Sequence, residues 1–214
     1  MKIWQITAES PTDLGKVAPF AFNIDGSYVS QSALARDFQP LGKLTLDNIE
    51  YNFWLGNSKS RAMITTEVTD TDIPNAIITG GDGKRKKLVV TDLVFKPCSI
   101  PINNAIQIDT VSTNSNYRTR GFATILYIVL TRYGYSMVSD YEQYTGGVML
   151  WKKLSRESTI RKYVVRLWDI VNNTWVVDGN NNPVKYNSNN LADDSIWNSI
   201  GKAPNTLLVL SSNV

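Results

Sequence analysis

Residues 106–130 read IQIDTVSTNSNYRTRGFATILYIVL, and this stretch decides which fold the sequence predicts. Its first eight residues alternate apolar residues with Thr, Ser and other polar residues, a β-branched pattern that favours a strand. The strand should end at Asn114-Ser115-Asn116, where turn-forming side chains take over. From Gly121 onward the apolar residues are too dense for a solvated helix. The stretch therefore predicts a strand, a short loop and a helix that packs on a sheet.

The loop between this strand and this helix, residues 117–120, suits the binding of an anion. The first turn of a helix carries backbone N–H groups without intrahelical partners and a partial positive charge. Gly121 lets a ligand approach the backbone closely, and Arg118 and Arg120 can donate charge-assisted hydrogen bonds to phosphate oxygens. Ala123 keeps the next exposed position small. The alternative is an ordinary strand-to-helix turn with two solvated arginines, because short motifs also match by chance.

Over a longer window, residues 111–127 (VSTNSNYRTRGFATILY) resemble motif A of the GNAT acetyltransferases. In that superfamily a loop with an aromatic residue and the pattern R-x-x-G-x-G/A open the helix that holds the pyrophosphate of acyl-CoA. The aromatic residue here is Tyr117, and the pattern falls on Arg118, Thr119, Arg120, Gly121, Phe122 and Ala123. The resemblance covers only the middle of the chain. It implies an α/β (α+β) fold in which helices flank a mixed, mostly antiparallel central sheet.

The resemblance also implies a co-substrate and a reaction. Acetyl-CoA would lie between the strand ending at Thr113 and a further strand predicted at residues 135–139. Backbone N–H groups near Val111, Ser112 and Thr113 would hold the pantetheine arm and polarise the thioester carbonyl. The reaction would be transfer of the acetyl group to an amine, and the acceptor is not readable from the sequence.

Several side chains are candidates for proton transfer in such a reaction. The candidate bases are Asp109, Asp140 and Glu142, acting directly or through water. Each has a structural alternative: Asp109 as a solvent-facing strand residue, and the other two as acids that favour the start of a helix. Candidate proton donors to the thiolate are Tyr141 and Tyr144.

The tyrosine candidates matter because of residues 150–154, LWKKL, which resemble the family pattern L-Y-E-K-L. Trp151 stands where many members place a tyrosine that protonates the leaving thiolate, and an indole N–H is not a useful acid. Either Tyr141 or Tyr144 protonates the thiolate instead, or no proton donor is needed, or this chain does not transfer acetyl groups. Trp151 is also interpreted as a core aromatic residue at helical spacing.

Composition and charge limit the function classes. The chain has 214 residues, 43% hydrophobic and 19% charged, which is an ordinary globular balance. It contains no histidine, so His-dependent triads and His-ligated metals are excluded, and its single cysteine, Cys98, excludes an internal disulfide. The net charge of +3 and a basic tetrad at residues 84–87 permit a nucleic-acid partner, although such a tetrad is usually only solvated.

The resemblance predicts one GNAT-like domain over residues 1–214, with an N-terminal extension to about residue 40 and a C-terminal appendage from about residue 178.

Three functional hypotheses follow for this domain. The first is an acetyl-CoA-dependent N-acetyltransferase. The second is a GNAT-fold enzyme that modifies DNA bases, as some phage-encoded relatives do. The third is a non-catalytic structural or interaction module. The sequence shows no apolar run of ~20 residues and no signal peptide, so we expect no membrane partner and a cytoplasmic location, that of the host if the protein is phage-encoded.

Other elements are predicted from periodicity and turn residues. Strands are predicted at residues 2–6, 88–95 and 207–210, and two strands at residues 44–68 that turn at Gly56-Asn57. Residues 163–177 predict a hairpin around Asn172-Asn173. Helical segments are predicted at residues 30–38, 148–154 and 192–200.

Overall fold

The computed structural model describes residues 24–68, 85–140, 145–157, 162–189 and 205–212. The described chain divides into two compact units. The first unit holds the described residues up to 96 together with residues 109–126, and the second holds residues 97–108 and those from 127 onward. The predicted strand at residues 2–6 and the predicted helix at residues 192–200 lie outside the described residues.

The first unit is built on antiparallel strands. They are β1 (Tyr28–Val29), β2 (Phe38–Leu46), β3 (Ile49–Gly56), β4 (Arg61–Glu67) and β5 (Lys87–Pro97), with helix α1 (Gln31–Asp37) before β2. The strand order is β2-β3-β4-β5, followed by β6 (Ala105–Thr113), and β1 pairs with β5. Leu88, Val90 and Leu93 are among the buried residues of β5, so the predicted interior strand is confirmed.

The hairpin predicted at residues 44–68 is confirmed in part. Its turn after Gly56 and its second strand are confirmed by β3 and β4, which pair antiparallel. The start of its first strand is wrong, because the chain reverses at Asp47-Asn48 and residues 44–46 belong to β2. Both turn residues have positive φ, 50° and 62°, which is the geometry of a two-residue hairpin turn that Asp and Asn tolerate. The odd spacing from Leu46 to Ile49 is the sequence signal of this turn, since a continuous strand would keep the apolar period at two.

The second unit contains the only parallel strand pair that the pairings of the described residues record. Strand β7 (Ser136–Val138) runs parallel to the first half of β6, with Ile106 opposite Met137. Helix α2 (Phe122–Arg132) connects β6 to β7, which is the crossover that a parallel pair requires. The predicted strand, helix and strand around residues 106–139 are confirmed.

The rest of the second unit follows helix α3 (Thr145–Glu157). Its strands are β8 (Tyr163–Asp169), β9 (Thr174–Trp175) and β10 (Thr206–Ser212), in the order β7-β10-β8-β9. The β8–β9 hairpin confirms the turn predicted at Asn172-Asn173, and β10 confirms the last predicted strand. The chain is thus of the mixed α+β class with mostly antiparallel pairing.

The helices follow their sequence signals. Ser30 caps α1, because its hydroxyl accepts a hydrogen bond from the Ala33 backbone N–H at 3.1 Å. Helix α3 buries Leu150, Trp151 and Leu154, as its apolar spacing predicts. Across the described segments, none of the helices is both long enough and apolar enough to cross a membrane.

Candidate anion-binding site

The loop after β6 is a short 3-10 helix, Ser115–Arg120, whose start is fixed by hydrogen bonds. The Asn114 side chain accepts a bond from the Asn116 N–H at 3.1 Å, and the Asn114 N–H donates to the Val90 carbonyl at 2.9 Å. The Asp25 carboxylate accepts a further bond from the Ser115 N–H at 2.7 Å. These contacts confirm the predicted turn at Asn114-Ser115-Asn116 and define how it leaves the strand.

Gly121 separates this turn from α2. Its φ of 77° and ψ of 20° lie in the left-handed region, which residues with a Cβ adopt only at an energetic cost. Helix α2 begins at the next residue, and the Ile125 N–H donates to the Gly121 carbonyl at 3.1 Å. No acidic residue occupies the first turn of α2, so no side-chain carboxylate within that turn compensates its positive end.

Three aromatic rings hold the loop on the first unit. Tyr117, Phe122 and Tyr51 of β3 are all buried, and the centroids of Tyr51 and Phe122 are 4.5 Å apart. The Tyr117 ring meets Tyr51 edge-on at 6.2 Å and Phe122 at 6.1 Å. Edge-to-face and tilted pairs at these separations stabilise a cluster beyond simple burial. Tyr117 therefore acts as a packing residue of the loop.

The two arginines of the loop differ in their contacts. Arg118 is exposed, and its Nε donates to the Thr113 carbonyl at 3.2 Å, which folds the side chain back over the end of β6. Its terminal nitrogens make no recorded hydrogen bond within the described chain. Arg120 is half-buried, and its Nη1 donates to the Tyr51 hydroxyl at 3.3 Å and lies 3.6 Å from an Asp47 carboxylate oxygen.

The remaining predicted contact residues line the same segment of the first unit. Val111, Ser112 and Thr113 are half-buried at the end of β6, and the Thr113 and Thr91 hydroxyls are 3.2 Å apart. On α2, Ala123 is half-buried, and the buried Thr124 hydroxyl has no hydrogen-bond partner in the described part of the chain. The structure thus brings the nine predicted cofactor-contact residues into one continuous strand, turn and helix start, Val111, Ser112, Thr113, Arg118, Thr119, Arg120, Gly121, Phe122 and Ala123.

Of the five predicted catalytic residues, the structure describes two, Asp109 and Asp140. Asp109 is exposed on β6 in the first unit, which agrees with its interpretation as a solvent-facing strand residue. Asp140 is half-buried after β7 in the second unit. Tyr141, Glu142 and Tyr144 lie outside the described residues.

Trp151 is a core residue, as its helical spacing predicts. Its side chain is 1% exposed, and its ring meets the buried Tyr127 ring edge-on with centroids 5.9 Å apart. An indole held in this way can neither reach solvent nor donate a proton of useful acidity. The structure therefore gives position 151 a packing role.

The buried tyrosine beside Trp151 predicts a pH dependence of stability. Burial raises the pKa of Tyr127 above its ordinary value of 10.0, because desolvation disfavours the phenolate. Above about pH 10 the unfolded chain loses a proton that the folded chain keeps, so stability falls as the pH rises, by up to ~1.4 kcal/mol per pH unit. Denaturant unfolding of Tyr127→Phe between pH 9 and 11 should show a correspondingly shallower fall. Tyr133→Phe is the control, since Tyr133 is 53% exposed, and an equal change in both variants would contradict the assignment.

The structure describes residues 85–87 of the basic tetrad. Lys84 lies outside the described residues, Arg85 is exposed, and Lys87 pairs with Glu67 through an Nζ to Oε1 distance of 2.7 Å. Because Lys87 begins β5 and its charge is matched, the tetrad in its described part resembles a charged approach to a strand. Of the described part of the tetrad, Lys87 is the residue whose charge is shown to be matched.

A separate groove of about 270 Å³ lies in the first unit between α1 and the strands β2, β3 and β5. Its walls include Leu34, Phe38 and Trp54. None of the residues that the sequence singled out for cofactor contact or catalysis lines it. The groove is therefore distinct from the loop described above.

Sequence reasoning missed two residues of the site, Tyr51 and Asp47. Neither stands in a recognisable motif, and the contact from Arg120 to Tyr51 spans 69 residues of chain. The local signals are the Asp-Asn pair that forms the β2–β3 turn and the odd apolar spacing around it. The site as described consists of a left-handed glycine, a helix start without acidic residues and two arginines at the end of β6. A comparison of the chain with known families, curated proteins and solved structures finds no match to any of the three.

Proposed function

We propose that this chain is an acetyl-CoA-dependent N-acetyltransferase that holds the pyrophosphate of its co-substrate at residues 118–124. The observation that carries the proposal is Gly121, which adopts the left-handed conformation immediately before the first turn of α2. That conformation turns the chain out of the 3-10 helix, and α2 then begins, like any α-helix, with N–H groups that have no intrahelical partners. It falls at the glycine of the R-x-x-G-x-A pattern.

Charge supports the same ligand. The first turn of α2 has no acidic residue, and two arginines precede it. A pyrophosphate would therefore meet the positive end of a helix dipole and a guanidinium with available donors, Arg118. Arg118 already lies over the Thr113 carbonyl, which places its charged group at the junction of strand and helix.

The order of elements gives further support. Along the chain, α2 lies between the two parallel strands β6 and β7. Helix α3 comes next and is followed by strands β8, β9 and β10. The resemblance implies a strand and then the L-Y-E-K-L pattern after the cofactor loop, and β7 and α3 follow α2 in that order. Pantetheine would follow the end of β6, where backbone groups of Val111, Ser112 and Thr113 would polarise the thioester carbonyl.

The proposed reaction forms one bond and breaks one. The lone pair of a neutral amine attacks the acetyl carbonyl carbon, and the resulting tetrahedral oxyanion collapses with cleavage of the C–S bond. The amine loses one proton, to Asp109 directly or through water, and the CoA thiolate gains one. A thiol has an unperturbed pKa of about 8.5, so water can supply that proton near neutral pH and a tyrosine at position 151 is not required.

A second candidate is a CoA-binding module without acetyl transfer, motivated by Trp151 at the position where the resemblance places a proton-donating tyrosine. A protein that had abandoned turnover would have no need for an acid at this position, and the indole fills the core instead. The hypothesis of DNA base modification stays a prediction from composition, because Lys87 of the tetrad is matched by Glu67.

Calorimetric titration with acetyl-CoA and with free CoA tests the proposal. We expect micromolar binding by the wild-type chain, weakened about 10- to 100-fold in Arg118→Ala, since charge-assisted hydrogen bonds contribute ~1.5–3 kcal/mol. Arg132→Ala is the matched control, because Arg132 is an exposed arginine in the last turn of α2, away from its first turn.

Two results would count against the proposal. An absence of wild-type binding at millimolar acetyl-CoA would remove both candidate functions. Binding without release of free thiol from any tested amine would remove the enzyme and retain the binding module. Thiol release that depends on an added amine would reject the module.

A further inference from the structure

We infer that Tyr51, with a lesser contribution from Asp47, is a positioning residue of the anion loop and acts through Arg120. This inference rests on the proposed function, because it assigns a role in binding the CoA pyrophosphate. It extends the site to the β2–β3 hairpin, which carries no sequence motif for cofactor binding. It also gives the two arginines of the loop different tasks.

The contacts of Arg120 support this division. Its Nη1 donates to the Tyr51 hydroxyl at 3.3 Å and lies 3.6 Å from the Asp47 carboxylate, and its guanidinium carbon is 5.6 Å from the centroid of the Tyr117 ring. A hydroxyl, a carboxylate and an aromatic face thus act on one cation. Arg118 has only the Thr113 carbonyl on its Nε. Arg120 is therefore the fixed arginine, and Arg118 is the exposed one, held only through its Nε.

Tyr51 is itself held rigidly. It is 0% exposed on β3, its ring packs against Phe122 at 4.5 Å and Tyr117 at 6.2 Å, and both of these residues flank Arg120 and Gly121 in sequence. The hydroxyl is thus a fixed point to which the loop is attached. A cation positioned before the ligand arrives loses less conformational entropy on binding than a free one.

Asp47 contributes less for a physical reason. Its side chain is 60% exposed, and solvent screens an exposed ion pair. It occupies the β2–β3 turn with φ of 50°, a conformation that asparagine adopts as readily as aspartate. Asp47→Asn therefore removes the charge and keeps the turn, which makes it a useful comparison with Tyr51→Phe.

A double-mutant cycle on CoA binding tests the inference. Tyr51→Phe keeps the packed ring and removes only the hydroxyl, and we expect it to weaken CoA binding about three- to tenfold, since hydrogen bonds to charged groups are stronger than neutral ones. In the Arg120→Ala background the same substitution should have no further effect, because Tyr51 acts through that side chain. Asp47→Asn should change affinity by at most about fivefold.

Binding of a second ligand, one without pyrophosphate, distinguishes a positioning role of Tyr51 from a general structural effect. Acetyl-pantetheine has no pyrophosphate, so its dissociation constant, measured by NMR titration at millimolar concentration, should be the same for Tyr51→Phe and the wild type. Tyr186→Phe is the matched control, since Tyr186 is 1% exposed and lies in the second unit. Thermal melts of each variant establish that it is folded.

Each outcome decides the inference. An unchanged CoA affinity in Tyr51→Phe, with Arg118→Ala impaired, would overturn the positioning role and leave the proposed function standing. Equal losses for CoA and acetyl-pantetheine, or an additive loss in the Arg120→Ala background, would show a merely structural residue. If the wild-type chain binds no CoA, the proposed function fails and this role fails with it.

Discussion

Replacing Gly121 with alanine should weaken acetyl-CoA binding at least tenfold, and replacing it with glutamate should abolish measurable binding. Gly121 has a φ of 77°, where a Cβ costs about 1–2 kcal/mol. Alanine therefore drives the turn toward another backbone geometry and moves the N–H groups that would face the pyrophosphate. Glutamate adds a negative charge at the positive end of α2, next to the place where the anion would bind. The measurement is calorimetric titration of each folded variant.

Gly134 provides a control with matched backbone strain. It follows the other end of α2 and has a φ of 87°, and a Cβ built there meets nothing nearer than an Asn104 side-chain nitrogen at 3.9 Å. Gly134→Ala should lower the thermal midpoint about as much as Gly121→Ala and leave acetyl-CoA binding unchanged. Equal loss of binding in both variants would mean that Gly121 acts through stability alone.

Replacing Trp151 with alanine should lower the free energy of unfolding by about 3–5 kcal/mol, a loss typical of large aromatic residues removed from a core. Trp151 is 1% exposed, and its ring packs edge-on against Tyr127 at 5.9 Å. Alanine would leave a cavity that the surrounding side chains fill only in part. Because domains are stable by ~5–15 kcal/mol, this is a large fraction of the total. Denaturant unfolding measures it.

Two other variants calibrate this result. Met149 lies two residues earlier on α3, and its side chain is 45% exposed. Met149→Ala should therefore change the free energy of unfolding by about 0.5 kcal/mol or less. Trp151→Phe retains an aromatic ring and should fall between the two. A loss below about 1 kcal/mol in Trp151→Ala would contradict the packing role assigned to this residue.

The two predictions separate the proposed site from the fold. A Gly121 variant should lose ligand and keep most of its stability, whereas a Trp151 variant should lose stability through the core of the second unit. If Trp151→Phe keeps both the fold and any turnover, the indole N–H has no chemical part in the reaction. That result would agree with water as the proton source for the thiolate.

Local patterns predicted much of the fold. The β-branched run before Asn114, the turn residues after it and the dense apolar residues after Gly121 correspond to β6, the 3-10 turn and α2. Their physical causes act over a few residues: side-chain sterics, turn geometry and the apolar face of a helix. The prediction failed at Asp47-Asn48, where a two-residue turn was taken as part of a strand. Positive φ at both residues permits the reversal, and its signals in the sequence are the Asp-Asn pair and the odd apolar spacing from Leu46 to Ile49.

The sequence by itself determined the residues on which the proposed anion site rests, because Gly121, the two arginines and the helix start are neighbours along the chain. Only the tertiary structure decided how the loop is held. Tyr51 reaches Arg120 across 69 residues, and Trp151 meets Tyr127 from a different helix. These partners come together only when strands pair and helices pack on them. Such contacts depend on strand register and packing across the whole fold, and neither quantity is encoded in any short window of residues.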